Sequence, residues 1–179
     1  HIECSAMAMK YLGEQFDIHT GGIDHIPVHH TNEIAQAEAA TGKVPFVRYW
    51  VHHNHLHVNG EKMSKSLGNF FTIDDIIAKG FSPQALRLSF LSTHYRSEMN
   101  FTWENLAGAQ TAWKNVSAKI ATFKQEKDRT VLSEEKLAQV NEYRTRFFSY
   151  LEDDLRTPEA LAVFWEVVNS NIPGGDKYE

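Results

Sequence analysis

The chain has 179 residues, of which 42% are hydrophobic and 23% are charged, and its formal net charge is −5 with neutral histidines. This composition is typical of one globular domain or of one domain with part of another, and no apolar run is long enough to span a membrane. The mild acidity argues against nucleic-acid binding by bulk charge. The single cysteine, Cys4, excludes a disulfide framework and favours a reducing, cytoplasmic location. The first residues lack the basic and apolar regions of a secretory signal.

The first part of the chain, residues 1–80, alternates helical and strand-like patterns. Helical spacing predicts helices, and β-branched and aromatic runs predict strands. Gly21 and Gly22 mark a turn after the first strand, and 59–69 is a polar loop. The expected helices cover 3–15, 29–40 and 72–79, and the expected strands cover 16–19 and 44–58, with a turn near His53. Such alternation predicts an α/β fold.

The second part, residues 81–179, is predicted to be helical. Its helices are expected to start at capping residues or at a proline in the first turn. These signals are Ser82 with Pro83, Thr102, Ser133, and Thr157 with Pro158. The second of these helices is expected to end near residue 127, and a domain boundary falls near 95–102. Lysines and an arginine on this second helix could contact a nucleic-acid backbone or form a solvated helix face; they are Lys114, Lys119, Lys124, Lys127 and Arg129.

A candidate metal site lies in the first part. His29 and Glu33 are four residues apart on a predicted helix, so their side chains share a face. Cys4 could supply a soft third ligand, and cysteine together with histidine selects zinc over magnesium or calcium. The spacing alone fits equally a solvated helix face and an inert buried thiol.

The loop that begins at Lys62 reads Lys-Met-Ser-Lys-Ser-Leu-Gly-Asn. Lys62 and Lys65 act as point charges for phosphate oxygens, and such donors stabilise charge on a leaving group. A polar surface loop of the same composition is the alternative.

The string Lys-Met-Ser-Lys-Ser at residues 62–66 resembles the signature loop of class I aminoacyl-tRNA synthetases. Other motifs are similar to the cysteinyl-tRNA synthetase family in particular. They lie at residues 1–7, 16–22, 29–36, 49–52, 68–72, 94–97 and 157–161.

This resemblance implies a fold and an activity. Residues 1–98 would be the C-terminal half of a Rossmann-like nucleotide-binding catalytic domain, and 99–179 would be the start of an α-helical bundle of the tRNA-binding type. The family activates L-cysteine with ATP and Mg²⁺ as an adenylate and transfers it to tRNA(Cys). Lys65, and secondarily Lys62, would bind the ATP phosphates and act as the catalytic residues.

The resemblance also implies a ligand set. The family binds a zinc ion through two cysteines, a histidine and a glutamate, and the zinc takes the thiolate of the substrate. Cys4, His29 and Glu33 match three of these positions, and the other cysteine belongs to a segment upstream of those matched here.

Four further positions match residues around the bound substrate. Gly21, Gly22 and Asp24 correspond to the strand end where the family backbone approaches the adenylate. Asp24 would accept hydrogen bonds from ribose hydroxyls or from the substrate amine, with an ordinary turn aspartate as the alternative. His19 corresponds to a histidine near the cysteine substrate, with a packed residue at the strand end as the alternative.

Some features depart from the family pattern. Thr20 stands where the family has glycine. His53, His55 and His57 are expected to share one strand face, as surface residues or as an adventitious metal site. The His-Ile-Gly-His type motif and the first half of the nucleotide fold are not in this sequence. We therefore expect a fragment that is inactive alone, whose parent protein carries the activity.

Two other functions fit part of the pattern. A related ligase of mycothiol synthesis joins cysteine to an amino sugar and has the same loop, zinc and adenylate step. A catalytically inactive zinc- or RNA-binding fragment is the non-enzyme alternative. The motifs at 29–36 and 157–161 favour the synthetase over the amino-sugar ligase.

Overall fold

The structure is a computed structural model that describes residues 1–126 and 134–178. The chain divides into two compact units. The first unit contains residues 1–55 and 95–98, and the second contains 56–94 and the residues from 99 onward. The predicted division into domains at 98/99 stays a prediction.

The first unit is a parallel strand pair with helices. Strand β1 pairs in parallel with β2, so that Ile18 lies opposite Tyr49 and Gly21 lies opposite His52. Parallel neighbours need a long crossover connection, which a helix supplies here. In chain order the elements are α1 (Ile2–Leu12), β1 (Phe16–Gly22), a 3-10 turn (Ile23–His25), a π-type turn (Ile26–His30), α2 (Thr31–Thr41) and β2 (Val47–His53).

The helices of the first unit end at glycines with positive φ. Helix α1 ends before Gly13 (φ 95°), three residues earlier than predicted, and α2 ends before Gly42 (φ 71°). Glycine adopts this backbone region without a Cβ penalty. The predicted helix at 29–40 is confirmed from Thr31 onward. His29 and His30 belong instead to the π-type turn, which has Pro27 near its start.

The second unit contains a small sheet and six helices among its described residues. Its central strand, β3 (Leu56–Val58), pairs antiparallel with β4 (Glu61–Lys62) and parallel with β5 (Met99–Phe101). The helices are α3 (Ile73–Ala78), α4 (Pro83–Leu91), α5 (Trp103–Gln125), α6 (Glu134–Glu152), α7 (Thr157–Asn169) and α8 (Gly174–Tyr178). The core of this unit joins the sheet to α3, α4 and α5 through Val58, Ile76, Ala85, Leu86, Phe101 and Leu106.

The predicted pairing of the strand residues at 44–58 is wrong. They form two strands, β2 and β3, which lie in different sheets instead of making a hairpin. His53 ends β2, His57 lies in β3, and His55 lies between the strands, so the three histidines do not share a strand face. Strand composition indicates an extended backbone but not its partner, which non-local packing decides. The short elements β4, β5 and α8 were not predicted.

The helix starts predicted at Thr72, Ser82, Thr102 and Thr157 are confirmed. The Thr72 hydroxyl accepts a hydrogen bond from the Asp75 N–H at 3.2 Å, and the Asp75 carboxylate accepts one from the Thr72 N–H at 2.8 Å. The hydrogen bonds that the Thr72 N–H and the Thr72 hydroxyl donate to the Asp75 carboxylate hold the pKa of Asp75 below its usual value. Ser82 and Thr102 cap α4 and α5 in the same manner. Ser133 lies outside the described residues.

Two basic side chains of α5 contact neighbouring helices. The Lys119 ammonium donates a hydrogen bond to the Asn169 side chain at 2.7 Å, and the Lys124 ammonium lies 5.9 Å from the centre of the Tyr178 ring. Lys127 and Arg129 lie outside the described residues. Contacts of this helix with a nucleic acid stay a prediction. Among the described residues, no helix combines the length and the apolarity that crossing a membrane requires.

Replacing Leu106, a fully buried residue of α5, tests the core of the second unit. We expect Leu106→Ala to lower the free energy of unfolding by about 2–5 kcal/mol, because it removes apolar contacts and leaves a cavity. Urea unfolding followed by circular dichroism measures the change. Leu137→Ala, at a position that is 46% exposed, is the control, and equal losses in the two variants would contradict this core.

Candidate functional site

A buried carboxylate lies at the centre of the first unit. Glu33, in the first turn of α2, is 1% exposed. Its Oε1 lies 3.1 Å from the His29 Nε2, and its Oε2 lies 2.8 Å from the His19 Nε2. Despite these short distances, neither carboxylate oxygen has a hydrogen-bond partner in the part of the chain that the structure describes. A buried carboxylate in this state is costly unless a cation compensates it.

Cys4 completes a group of three potential metal ligands around this carboxylate. The ligand atoms of Cys4, His29 and Glu33 all lie within 4.8 Å of one another. Cys4 is a free, half-buried thiol on α1. The neighbouring Ser5 hydroxyl donates a hydrogen bond to the Gln36 side chain at 3.1 Å, which attaches α1 to α2.

The donor set fits zinc. A thiolate, an imidazole and a carboxylate are the ligand types that zinc takes in proteins, and a cation would compensate the buried carboxylate. The structure thus brings together the three residues that the sequence predicts as ligands.

A second group of potential ligands shares the same carboxylate. His19, His30 and Glu33 also place their ligand atoms within 4.8 Å of one another. This group offers only nitrogen and oxygen, whereas the first group contains the sulfur that favours zinc. His19 was predicted as a substrate-binding residue; it lies on β1 beside Glu33, and its role stays a prediction.

The His52 imidazole and the Trp50 indole lie against His30 of the second group. The His30 Nδ1 lies 2.8 Å from the His52 Nε2. Burial, and next the nearby His19, lower the pKa of His30 to about 4. Burial also lowers the pKa of His52. Two neutral rings can share one hydrogen bond, in which one nitrogen donates and the other accepts. The Trp50 ring packs 4.7 Å from His30.

The sequence did not single out His30, His52 and Trp50 as parts of this site. Trp50 and His52 lie on β2, and only the parallel pairing with β1 brings them beside His19 and Gly21. The concentration of nine of the ten histidines in residues 1–57 was a signal of a histidine-rich site. It did not specify which of them meet.

The glycines at the end of β1 allow the imidazoles to approach the backbone. A Cβ added at Gly21 would lie 2.5 Å from the His30 ring and 2.7 Å from the His25 ring. A Cβ at Gly22 would collide with the Asp24 carboxylate. Asp24 itself is exposed in the turn that follows β1. The predicted contacts of these three residues with an adenylate stay a prediction.

The two lysines of the predicted phosphate loop are exposed in the second unit. Lys62 lies in β4, and Lys65 lies in the turn that follows, where its ammonium is 5.6 Å from the centre of the Phe70 ring. Met63, between them, packs against the core of this unit. The loop therefore has an apolar anchor and presents its positive charges to solvent.

Comparison with known proteins decides the family. Residues 1–111 match the model of the family described as "tRNA synthetases class I (C) catalytic domain". The chain belongs to this family. The expectation of a class I synthetase catalytic domain is thereby confirmed, as is the resemblance on which it rested.

Curated relatives of the chain are longer proteins. It is 48% identical over 172 residues to a cysteine--tRNA ligase of Caldicellulosiruptor saccharolyticus, covering 94% of this chain and 37% of the relative. It is 49% identical over 178 residues to a cysteine--tRNA ligase of Legionella pneumophila subsp. pneumophila, covering 97% of this chain and 37% of the relative. The chain thus spans just over a third of the length of these class I synthetase relatives.

A solved structure supports the fold. A LeuRS from Agrobacterium radiobacter K84, in a ternary complex with tRNA and LeuAMS, superposes with a TM-score of 0.63 and 18% sequence identity. The match covers 86% of this chain and 22% of the LeuRS chain. It shows the Rossmann-like class I architecture.

Zinc affinity distinguishes the two ligand groups that share Glu33. We expect Cys4→Ser to weaken zinc binding at least about tenfold, because it removes the soft ligand, whereas His30→Asn changes it less. Competition with a chromophoric chelator measures both affinities. His57→Asn, on β3 of the second unit, is the control. A larger loss for His30→Asn than for Cys4→Ser would place the metal in the group of His19, His30 and Glu33.

Proposed function

We propose that the complete protein that contains this chain is a cysteine--tRNA ligase, which activates L-cysteine with ATP and transfers it to tRNA(Cys). The observation that carries the proposal is the cysteine-containing ligand group around the buried Glu33 carboxylate, in a chain that also has the Lys-Met-Ser-Lys-Ser loop. The relatives described above are named for this reaction. That name favours tRNA over an amino sugar as the acceptor of the cysteine.

Cys4, His29 and Glu33 would hold the zinc ion. When bound, zinc supplies a soft Lewis-acidic position that prefers the thiolate of cysteine to the hydroxyl of serine. This preference matters because the two amino acids are almost isosteric, and a pocket alone discriminates weakly between such small differences.

The residues around Glu33 prepare the site before substrate arrives. The imidazoles of His19 and His29 each lie beside one oxygen of the Glu33 carboxylate, so His29 and Glu33 are close enough to bind one ion. His30 stays neutral at pH 7 because burial and the nearby His19 lower its pKa to about 4. The neutral His30 ring adds no positive charge that would repel the ion.

Lys65 and Lys62 would act on the nucleotide. In adenylate formation a carboxylate oxygen of cysteine attacks the α-phosphorus of ATP, the bond to the bridging oxygen breaks, and pyrophosphate leaves with the electron pair. The two ammonium groups, together with the Mg²⁺ that accompanies ATP, stabilise the charge on the departing pyrophosphate. Catalysis is then positioning and electrostatics, with no proton transfer required at the lysines.

The end of β1 would bind the adenylate. Gly21 and Gly22 lack a Cβ, which permits close approach to the backbone. At Gly21 the His25 and His30 rings take the space that a Cβ would fill, so the adenylate would meet the strand end beside these rings. Asp24 is exposed and can accept hydrogen bonds from ribose hydroxyls or from the amino group of the substrate. His19 would contact the cysteine substrate. A cytoplasmic location, with its reducing conditions, suits a free thiol in the site.

Pyrophosphate exchange with the complete protein tests the reaction. We expect exchange that depends on cysteine and that is at least about a thousandfold slower with serine at equal concentration, because a pocket alone reaches only about 10–200-fold for such similar side chains. The control is the exchange without amino acid. Equal rates with the two amino acids would contradict selection by a metal-bound thiolate.

The role of Lys65 is tested by its removal. We expect Lys65→Ala to slow cysteine-dependent exchange by about 10²–10³, the usual effect of losing one electrostatic donor, with little change in cysteine affinity. Lys114→Ala, an exposed lysine of α5, is the control and should leave exchange unchanged. If cysteine affinity fell in step with the rate, Lys65 would be structural instead.

A further inference from the structure

The side chain of Asn69 connects the end of the phosphate loop to its beginning. Its Oδ1 accepts a hydrogen bond from the Ser64 N–H at 2.8 Å, and its Nδ2 donates one to the Lys62 carbonyl oxygen at 3.1 Å. One half-buried amide therefore binds the backbone on both sides of Met63. These contacts span five and seven residues of the chain.

The remaining hydrogen bonds of the loop are local to the turn. The Ser64 hydroxyl accepts a hydrogen bond from the Leu67 N–H at 3.3 Å, and the Lys65 carbonyl accepts one from the Gly68 N–H at 3.2 Å. Gly68 takes a positive φ of 67°, which favours glycine. These bonds shape the turn, whereas the Asn69 side chain ties the turn to β4, which carries Lys62.

We propose that Asn69 is a positioning residue, which fixes the backbone that carries Lys62 and Lys65 for adenylate formation. The inference rests on the proposed function of the loop. Both lysines are exposed, and their side chains are long and flexible. Ordering their backbone in advance reduces the conformational entropy that is lost when the ammonium groups meet the phosphates.

The Asn69 amide acts through the backbone and not on the nucleotide. Its Oδ1 and one Nδ2 hydrogen are already engaged with Ser64 and Lys62. Met63, on the segment that these bonds hold, packs against the core of the second unit. The amide and the Met63 side chain together hold the backbone of the loop, and the two lysine side chains extend from it into solvent.

Two variants separate the bonds that Asn69 makes. Asn69→Ala removes both of them. Asn69→Asp keeps an oxygen acceptor for the Ser64 N–H but places a second oxygen, in place of the donor, against the Lys62 carbonyl. Asn141→Ala, at an exposed position on α6, is the matched control for loss of an asparagine side chain.

The experiment measures catalysis and loop order in the complete protein. For Asn69→Ala we expect kcat of cysteine-dependent pyrophosphate exchange to fall about tenfold, as two ordinary hydrogen bonds would give, with an unchanged KM for cysteine. We also expect faster deuterium uptake by the peptide that covers residues 61–70, measured by mass spectrometry. Asn69→Asp should be at least as impaired as Asn69→Ala in both measurements, because its second oxygen is repelled by the Lys62 carbonyl, and Asn141→Ala should match the wild type.

Three results would overturn the positioning role. They are an unchanged kcat in Asn69→Ala, unchanged deuterium uptake, and a KM for cysteine that rises as kcat falls, which would indicate a general structural defect. A wild-type protein without cysteine-dependent exchange would contradict the proposed function, and the positioning role with it. An active wild type with an unaffected Asn69→Ala would contradict the positioning role alone.

Discussion

The buried carboxylate of Glu33 is the constraint around which the first unit is organised. Both of its oxygens lie close to imidazole nitrogens, yet neither has a hydrogen-bond partner among the described residues. Proteins rarely keep such a group uncompensated, because the desolvation of a carboxylate costs more than ordinary packing returns. A cation held by Glu33, His29 and Cys4 would remove this cost, and the same arrangement would supply the thiol selectivity that the proposed reaction needs.

The backbone around Glu33 places neighbouring histidines close to the carboxylate and Trp50 beside those histidines. The turns at Ile23–His25 and Ile26–His30 lead from β1 to α2, so that His29 and His30 precede Glu33 by one turn. Parallel pairing of β1 with β2 adds Trp50 and His52 from a distant segment. The imidazole rings of His25 and His30 lie so close to the backbone of Gly21 that a Cβ there would displace both rings. The site thus depends on local turns for its ligands and on sheet pairing for the ring residues around them.

Much of this arrangement follows from local sequence signals. Capping residues such as Thr72 and Thr102 are recognisable because they satisfy backbone groups within a few residues, and the string at 62–66 identified the loop from its residues alone. The pairing of β2 and β3 with different sheets could not be predicted, since an extended pattern carries no information about its partner. The contacts of Asn69 could not be predicted from the sequence for a similar reason. An asparagine at the end of a polar loop indicates a turn, and its bonds to Lys62 and Ser64 exist only in the folded loop.

X-ray absorption at the zinc edge tests the central claim most directly, because it counts the sulfur ligands of the ion. The zinc-loaded protein should show sulfur scattering at about 2.3 Å together with nitrogen or oxygen ligands. The sulfur count should fall by one in Cys4→Ser and should be unchanged in His30→Asn. A sulfur count that is the same in Cys4→Ser as in the wild type would contradict the account, since Cys4 would then not be a ligand of the ion beside Glu33.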